Sequence, residues 1–175
     1  MMAGRYQTAL ALLAFALALP QPAWAKEGDN VEAQAGDLRI IHLWSRDPEG
    51  FLKAWSQPTP PNLVTSSRTA RNQPIQQFIL YANCTPDKAG MCRLEARVNI
   101  TAPDGTPYGK PMIFTTLPPT APVPRNNIGM TPNGIGMKVE EGEQLGLYRI
   151  DLAVTDANSG LTAKSTVHLE VVEAE

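Results

Sequence analysis

Nine residues decide the fold of this chain: they read RLEARVNIT and run from Arg93 to Thr101. Apolar side chains occupy every second position from Leu94 to Ile100, and charged or polar side chains occupy the positions between them. This period of two is typical of an antiparallel strand that buries one face and exposes the other. Residues 147–155 repeat the alternation, so the sequence predicts at least two strands of a half-buried sheet.

The sequence around these two strands has the pattern of an all-β domain, in which short apolar runs alternate with turn-forming residues. Five further runs are predicted to be strands: 63–69, 75–82, 112–116, 135–139 and 162–172. The connection 117–134 holds five prolines. We interpret it as a stiff return across one end of a sandwich, with a binding loop as the alternative.

A short element at the start of the 147–155 strand indicates the type of sandwich. Leu145-Gly146-Leu147-Tyr148 resembles the tyrosine corner of immunoglobulin-like domains, in which a tyrosine hydrogen-bonds to nearby backbone. Tyr148 would be that tyrosine, with Gly146 beside it. Ile150 stands where an antibody domain has its second inter-sheet cysteine, so the resemblance is to bacterial periplasmic immunoglobulin-like or fibronectin-like modules. It implies an all-β, seven-stranded immunoglobulin-like sandwich, with a small barrel or jelly roll as alternatives.

The residues before the sandwich are interpreted as an extension, so that residues 26–62 precede a sandwich domain of residues 63–175. Within the extension, residues 37–44 are apolar enough for a short buried strand, although they do not alternate cleanly. The extension ends in a Pro-rich linker. One domain with a short strand-and-helix extension therefore accounts for the whole chain after residue 25.

A short helix is predicted over residues 48–55 of the extension. Asp47 can cap its start, and Pro48 fits the first helical position because proline presets φ there. Phe51, Leu52 and Trp55 would then share one face and lie across an apolar surface.

The first 25 residues have the features of an export signal. Arg5 supplies a positive start, residues 8–19 are almost purely apolar, and residues 23–25 (AWA) form a small-x-small cleavage site. About a dozen apolar residues are too few to span a bilayer. Lys26, not a cysteine, follows the cleavage site, so no lipid anchor is expected. The sequence predicts a periplasmic or secreted monomer without a membrane span.

Two cysteines, Cys84 and Cys92, are predicted to form a disulfide, because an exported protein meets an oxidising compartment. The residues between them are rich in turn formers and connect two predicted strands. The spacing does not match the C-x-x-C pattern of a redox centre. We therefore expect a structural bridge that closes a loop between strands.

The charge of the chain excludes one class of partner. Fifteen basic and 17 acidic residues give a formal net charge of −2. The basic residues are scattered, and Arg68 and Arg71 come nearest to a patch. Nucleic-acid binding is not expected, because it requires a basic surface.

The sequence offers few candidate catalytic residues. His42 and His168 both lie in apolar runs, where a hydrogen-bonded or solvent-facing histidine is the simpler interpretation, and no G-x-S-x-G motif is present. The protein is not expected to be an enzyme, and no cofactor is expected.

Two metal sites are alternatives to this interpretation. The first is a copper site made from the histidines and four methionines: Met91, Met112, Met130 and Met137. The second is a calcium site at Asp151 and Asp156, which lacks the EF-hand spacing. Methionine in strands is more often core filler, so no metal is predicted.

The sequence thus predicts an exported, non-catalytic accessory module that binds another envelope protein or a glycan. Alternatives are carbohydrate binding, peptide binding by strand addition, and a small metal carrier or enzyme. A set of helix aromatics and loop prolines forms the candidate binding surface: Phe51, Trp55, Pro118, Pro119 and Pro122. Burial in the core is the competing interpretation for Trp44 and Trp55.

Overall fold

The computed structural model of the chain describes residues 31–58, 62–114, 123, 127–131 and 134–174. The predicted export signal and Pro118, Pro119 and Pro122 lie outside the described residues. Within the described part, no helix has the length and apolar character needed to cross a membrane.

The described residues form ten strands and one helix. The strands are β1 (Glu32–Ala35), β2 (Leu38–Ser45), β3 (Arg68–Ala70), β4 (Ile75–Ala82), β5 (Leu94–Thr101), β6 (Met112–Phe114), β7 (Gly129–Met130), β8 (Gly136–Met137), β9 (Gly146–Asp156) and β10 (Thr162–Val172). The helix α1 spans Pro48–Trp55 and begins and ends at the predicted residues.

The strands make two sheets of five strands each. The first sheet has the order β1-β2-β4-β7, with β8 also paired to β4, and the second has the order β3-β10-β9-β5-β6. All pairs are antiparallel except β3 with β10. A continuous apolar core lies between the sheets, so the predicted all-β sandwich is confirmed.

The alternation read from the sequence describes the second sheet. Apolar residues at every second position of β5 and β9, from Leu94 to Ile100 and from Tyr148 to Val154, are buried. The intervening residues are exposed or half-buried on the outer face. The buried face packs against the first sheet and supplies much of the core.

The N-terminal strand is part of the sandwich and not an attachment to it. β2 pairs with β4 along seven residues and with β1 on its other side. Both faces of β2 and β4 are covered, one by the second sheet and the other by α1. Burial on two faces removes the need for alternation, which explains why the sequence of β2 has no clean period.

The strand predicted over residues 63–69 is wrong in its extent. Residues 62–66 have no regular structure, although Ser66 N donates to Trp44 O beside β2 at 2.8 Å. The chain then crosses to the other sheet, where β3 has three residues and pairs with β10. A segment whose backbone bonds first to one sheet and then to the other cannot form one continuous strand.

Helix α1 covers the outer face of the first sheet. Asp47 caps it by accepting a hydrogen bond from Gly50 N at 2.8 Å. Phe51 stacks on Phe78 with ring centroids 3.9 Å apart, and the two form a second apolar cluster with Leu43 and Leu80. The helix is therefore attached to the sandwich by a stacked aromatic pair.

The packing of α1 corrects two expectations about its side chains. Phe51 is 1% exposed, which removes it from the predicted binding surface. Leu52 is 45% exposed and does not share the buried face, because it lies about 100° around the helix from Phe51. Trp55 is half-buried against the second cluster, and Trp44 is buried in the main core.

The predicted disulfide between Cys84 and Cys92 is confirmed, and it closes the loop between β4 and β5. Asp156 lies next to this loop and is fully buried. Its carboxylate accepts hydrogen bonds from Thr85 N at 2.7 Å and from Asn158 N at 3.0 Å. One carboxylate thus joins the disulfide loop to the β9–β10 turn.

The opposite end of the sandwich carries several surface depressions. At this end, which we call the groove end, β2, β5 and β10 finish and β4 and β9 begin. The loops of the groove end therefore come from parts of the chain that are far apart in sequence.

Candidate functional site

A depression of about 540 Å³ lies at the groove end, between the loop after β5 and the turn before β9. We call it the Tyr108 groove. Its lining includes Thr106, Pro107, Tyr108, Glu143, Gln144 and Tyr148. A cavity of this size is within the range that small-molecule sites occupy.

Local hydrogen bonds fix the loop that carries Tyr108. Asp104 Oδ1 accepts from Thr106 N at 2.9 Å and from the Thr106 hydroxyl at 2.7 Å. Gly105 has a φ of +86°, which a glycine adopts at little cost. Tyr108 N then donates to Ile100 O at 2.8 Å. The ring of Tyr108 consequently leaves the loop from a defined backbone position.

Two tyrosines form the floor of the Tyr108 groove. Tyr148 is fully buried, and its hydroxyl donates to Gln144 O at 2.6 Å, the bond expected of a tyrosine corner. The ring of half-buried Tyr108 meets it edge to face, with centroids 5.2 Å apart and an interplanar angle of 81°. Such an edge-to-face pair is a favourable arrangement of aromatic rings. The tyrosine corner therefore supports the groove from below.

Gly146 allows the corner to pack closely. Its φ is +127°, and an added Cβ would lie 3.2 Å from Pro103 Cβ. A larger residue would strain the backbone and press on the loop that carries Tyr108.

Polar groups surround the exposed side of Tyr108. Its hydroxyl donates to Glu143 Oε2 at 3.0 Å and lies 3.3 Å from Lys138 O. Gln144 Nε2 donates to Asp104 Oδ2 at 2.6 Å, which holds the amide at the rim. Within the described residues, Glu143 Oε1 and Gln144 Oε1 accept no hydrogen bond. Each side chain is thus held by one atom and keeps an acceptor oxygen without a hydrogen bond from the described residues.

Burial and the neighbouring Glu143 carboxylate raise the pKa of Tyr108 above its ordinary value. Burial, together with the charge of Glu143, also raises the pKa of Tyr148. Both hydroxyls therefore stay protonated at neutral pH and act as hydrogen-bond donors.

Arg71 fastens the turn that lines the groove. Its Nη1 donates to Glu140 O at 2.8 Å and to Glu143 O at 3.1 Å. Its Nε donates to Glu173 Oε2 at 3.1 Å, and its side chain is 14% exposed. The turn is thereby attached to the end of β10, so the groove does not depend on the turn alone for its shape.

A serine and a histidine also lie together, but inside the core. His42 Nδ1 and Ser165 Oγ are 2.9 Å apart, and these residues are 0% and 3% exposed. Trp44 Nε1 donates to His42 Nε2 at 3.0 Å, and Gln77 Nε2 lies 2.6 Å from the same nitrogen. Nε2 is therefore an acceptor, and the ring proton sits on Nδ1 facing Ser165.

This Ser–His pair is not accessible to a substrate in the structure. A cavity of about 20 Å³ beside His42 has room for roughly one water molecule. Burial lowers the pKa of His42 to about 3, against the opposing charge of Asp151, so the ring is neutral at physiological pH. The cluster links the two sheets through hydrogen bonds.

The residues weighed for metal binding are not brought together. Asp151 bonds Arg149 and Thr166 on the outer face of the second sheet, whereas Asp156 is buried at the disulfide end. Met137 packs in the main core and Met130 packs against the cluster under α1. Among the described residues, no group of three or more His, Cys, Asp or Glu side chains is arranged to hold a metal ion.

Comparisons with known proteins add a fold likeness. No protein-family model matches the chain, and no curated protein matches it. The CARDB domain of a Pyrococcus furiosus protein, solved in complex with di-metal ions, is 18% identical over 62% of this chain and 86% of its own, with a TM-score of 0.39.

Two further solved structures are similar over more of the chain. The C-terminal domain of wzt is 10% identical over 85% of this chain and 83% of its own, with a TM-score of 0.47. A Niemann-Pick type C2 protein from the Japanese carpenter ant is 10% identical over 85% and 98%, with a TM-score of 0.40. No ligand is transferred from proteins this distant.

Sequence reasoning missed most of the Tyr108 groove. It identified Tyr148 and Gly146 as a structural corner only. Tyr108 was not singled out, although Pro107-Tyr108-Gly109 is a signal, since an aromatic residue between turn formers is held at the surface.

Proposed function

We propose that this protein is an exported, non-catalytic binding module that holds a saccharide in the Tyr108 groove. The observation that carries the proposal is the half-buried Tyr108 ring, which is bordered by the partly free polar atoms of Glu143 and Gln144. An open groove of about 540 Å³ accommodates a sugar ring with part of its neighbour.

The chemistry of the lining suits a saccharide in particular. One face of a sugar ring is made of C–H groups, which pack well on the flat apolar surfaces of Tyr108 and Pro107. The hydroxyl groups at its rim need acceptors and donors, which a carboxylate and an amide provide. Apolar ligands would leave Glu143 Oε1 without a partner, whereas sugar hydroxyls would donate to it.

Peptide binding by strand addition has less support at β3, the three-residue strand at one edge of the second sheet. Ser66 Oγ donates to Arg68 O at 2.6 Å and accepts from Arg68 N at 3.2 Å. Gln73 N donates to Ala70 O at 3.0 Å. These bonds occupy backbone groups that an added strand would need, a common protection of sheet edges.

The proposed place of action is the periplasm or the outside of the cell. The AWA cleavage site supports export, and the Cys84–Cys92 disulfide fits an oxidising compartment. There the protein would meet glycans of the cell envelope and other exported proteins. An envelope protein as partner is the second candidate, and half-buried Trp55 is the part of the predicted surface that supports it.

Calorimetric titration of the mature protein with oligosaccharides of defined composition tests the proposal. We expect Tyr108→Ala to weaken saccharide binding at least tenfold, equivalent to about 1.4 kcal/mol. Tyr108→Phe should weaken saccharide binding about threefold, because the ring remains and only the hydrogen bonding of the Tyr108 hydroxyl is lost.

Trp55→Ala is the matched control, since it removes a half-buried aromatic ring outside the groove. We expect its saccharide affinity to stay within twofold of that of the unaltered protein. Unchanged binding by folded Tyr108→Ala would overturn the proposal, as would the absence of binding to any saccharide tested.

A further inference from the structure

Two further depressions lie at the groove end. They measure about 440 and 420 Å³, and both are lined by Arg46 and Gln73. The larger one also includes Arg68 and Glu173, and the smaller one includes Val64. We call the two together the arginine groove. Shared lining residues make it a single elongated surface.

Within the described residues, the two arginines of this groove have at most one weak ion pair each. Arg46 is exposed and makes no ion pair with any residue in the described part of the chain. Arg68 is 4.0 Å from Glu170, and its side chain is 63% exposed, so that contact is weak. The arginine groove therefore presents two guanidinium groups with free donors.

The acidic groups in the same groove already have partners. Glu173 is paired with Arg71 at 3.1 Å. Asp47 Oδ1 accepts a hydrogen bond from Gly50 N at the start of α1. Neither carboxylate forms an ion pair with Arg46 or Arg68, so both guanidinium groups keep N–H donors for an incoming anion.

Arg71 connects the two grooves. It bonds Glu143, which lines the Tyr108 groove, and Glu173, which lines the arginine groove. One largely buried side chain thus contacts a lining residue of each groove. The two grooves are neighbours through Arg71, as a ligand longer than a single sugar would require.

We propose that the ligand of the Tyr108 groove is an acidic saccharide, whose negatively charged groups are bound by Arg46 and Arg68. This inference rests on the proposed function and names the class of its ligand. Guanidinium groups bind carboxylate and phosphate through paired N–H donors, and these charge-assisted hydrogen bonds are the strong ones. The hydroxyl of Thr65 at the same surface provides a further polar contact.

The test compares oligogalacturonate with its methyl ester, which keeps the sugar rings and removes the charges. At low salt, we expect the acid to bind at least tenfold more tightly than the ester. Arg46→Ala and Arg68→Ala should each weaken binding of the acid about three- to tenfold and leave binding of the ester unchanged. The preference for the acid should shrink as salt is added, because exposed charges are screened.

Lys88→Ala is the charge-matched control, because Lys88 is exposed in the disulfide loop at the other end of the sandwich. It should change neither affinity by more than twofold. A phosphorylated oligosaccharide provides the second anionic arm, and tighter binding of this ligand through Arg46 would support the proposal with phosphate as the recognised group.

The outcomes separate this inference from the proposed function. Equal affinity for acid and ester, with both lost in Tyr108→Ala, overturns the acidic ligand and retains the saccharide site. Binding of an acidic peptide such as oligoglutamate in place of either saccharide overturns both. An equal loss of acid binding in Lys88→Ala would show nonspecific charge attraction and overturn the role of the arginines.

Discussion

At the scale of single residues, Tyr148 connects the core of the sandwich to the candidate site. Its ring is buried among the strands of the second sheet, and its hydroxyl holds Gln144, a lining residue of the Tyr108 groove. The same ring supports Tyr108. One side chain therefore contributes to stability and also positions both the polar and the aromatic part of the groove.

Tyr148→Phe removes the hydroxyl and leaves the ring in place. We expect the free energy of unfolding to fall by about 0.5–1.5 kcal/mol, the typical net contribution of one hydrogen bond. For a chain of this size, each kcal/mol corresponds to a melting temperature lower by about 2–4 °C. Denaturant unfolding measures the first quantity and calorimetry the second.

Tyr81→Phe is the control for this change. Tyr81 is 3% exposed, and its hydroxyl makes no hydrogen bond with the described residues, so its loss should cost less than about 0.5 kcal/mol. If both variants lost equal stability, the hydrogen bond to Gln144 would have no special part in the corner.

At the scale of elements, the long strands could be predicted closely from sequence, whereas the short strands β1 and β7 could not. β4 and β10 begin and end where the apolar pattern predicted, β5 begins one residue later than predicted, and β9 is one residue longer at each end. β1 and β7 have four and two residues, too few for a period of two to be recognised. Their pairing depends on neighbouring strands.

The candidate site was harder to predict for a related reason. The Tyr108 groove combines a loop after β5 with a turn before β9, and the arginine groove combines the ends of β2, β3 and β10. These elements meet because of the sheet order, which no local pattern encodes. Arg68 and Arg71 were recognised as the nearest basic pair, but their different roles depend on partners distant in sequence.

The disulfide loop offers a prediction about one element. Burial by itself would raise the pKa of Asp156, but hydrogen bonds from Thr85, Asn158 and Ser159 hold it below its ordinary value. The carboxylate is therefore charged at neutral pH. Asp156→Ala leaves the buried donors without a partner, and we expect the free energy of unfolding to fall by about 2–4 kcal/mol at pH 7.

Asp156→Asn keeps one oxygen acceptor, so its loss should be about half as large. Hydrogen exchange of Thr85 N and Asn158 N reports whether the loop itself is loosened. Protection of these amides that is unchanged in Asp156→Ala would contradict the proposed attachment of the loop.

At the scale of the whole molecule, the two sheets are joined by polar contacts as well as by apolar packing. His42 on β2 and Ser165 on β10 lie in opposite sheets and hydrogen-bond across the core. Trp44 and Gln77 direct N–H groups at the other ring nitrogen. A proton on that nitrogen would face two donors inside the core, so the folded state excludes the charged form of His42.

This exclusion predicts how stability depends on pH. Burial lowers the pKa of His42 from 6.5 to about 3, so the unfolded chain binds a proton between these values and the folded chain does not. The contribution of neutral His42 to the free energy of unfolding is fully present above pH 6.5. It is lost as the pH falls, by about 2–3 kcal/mol from pH 6 to pH 4. His42→Gln keeps a donor and an acceptor but does not titrate, so the difference between its denaturation curves and those of the unaltered protein isolates this contribution.

His168→Gln changes a half-buried histidine on the outer face and should retain the full dependence. Parallel pH profiles for His42→Gln and the unaltered protein would mean that the folded sandwich accommodates a charged His42, and that the contact between its sheets is more open to water than the buried ring indicates.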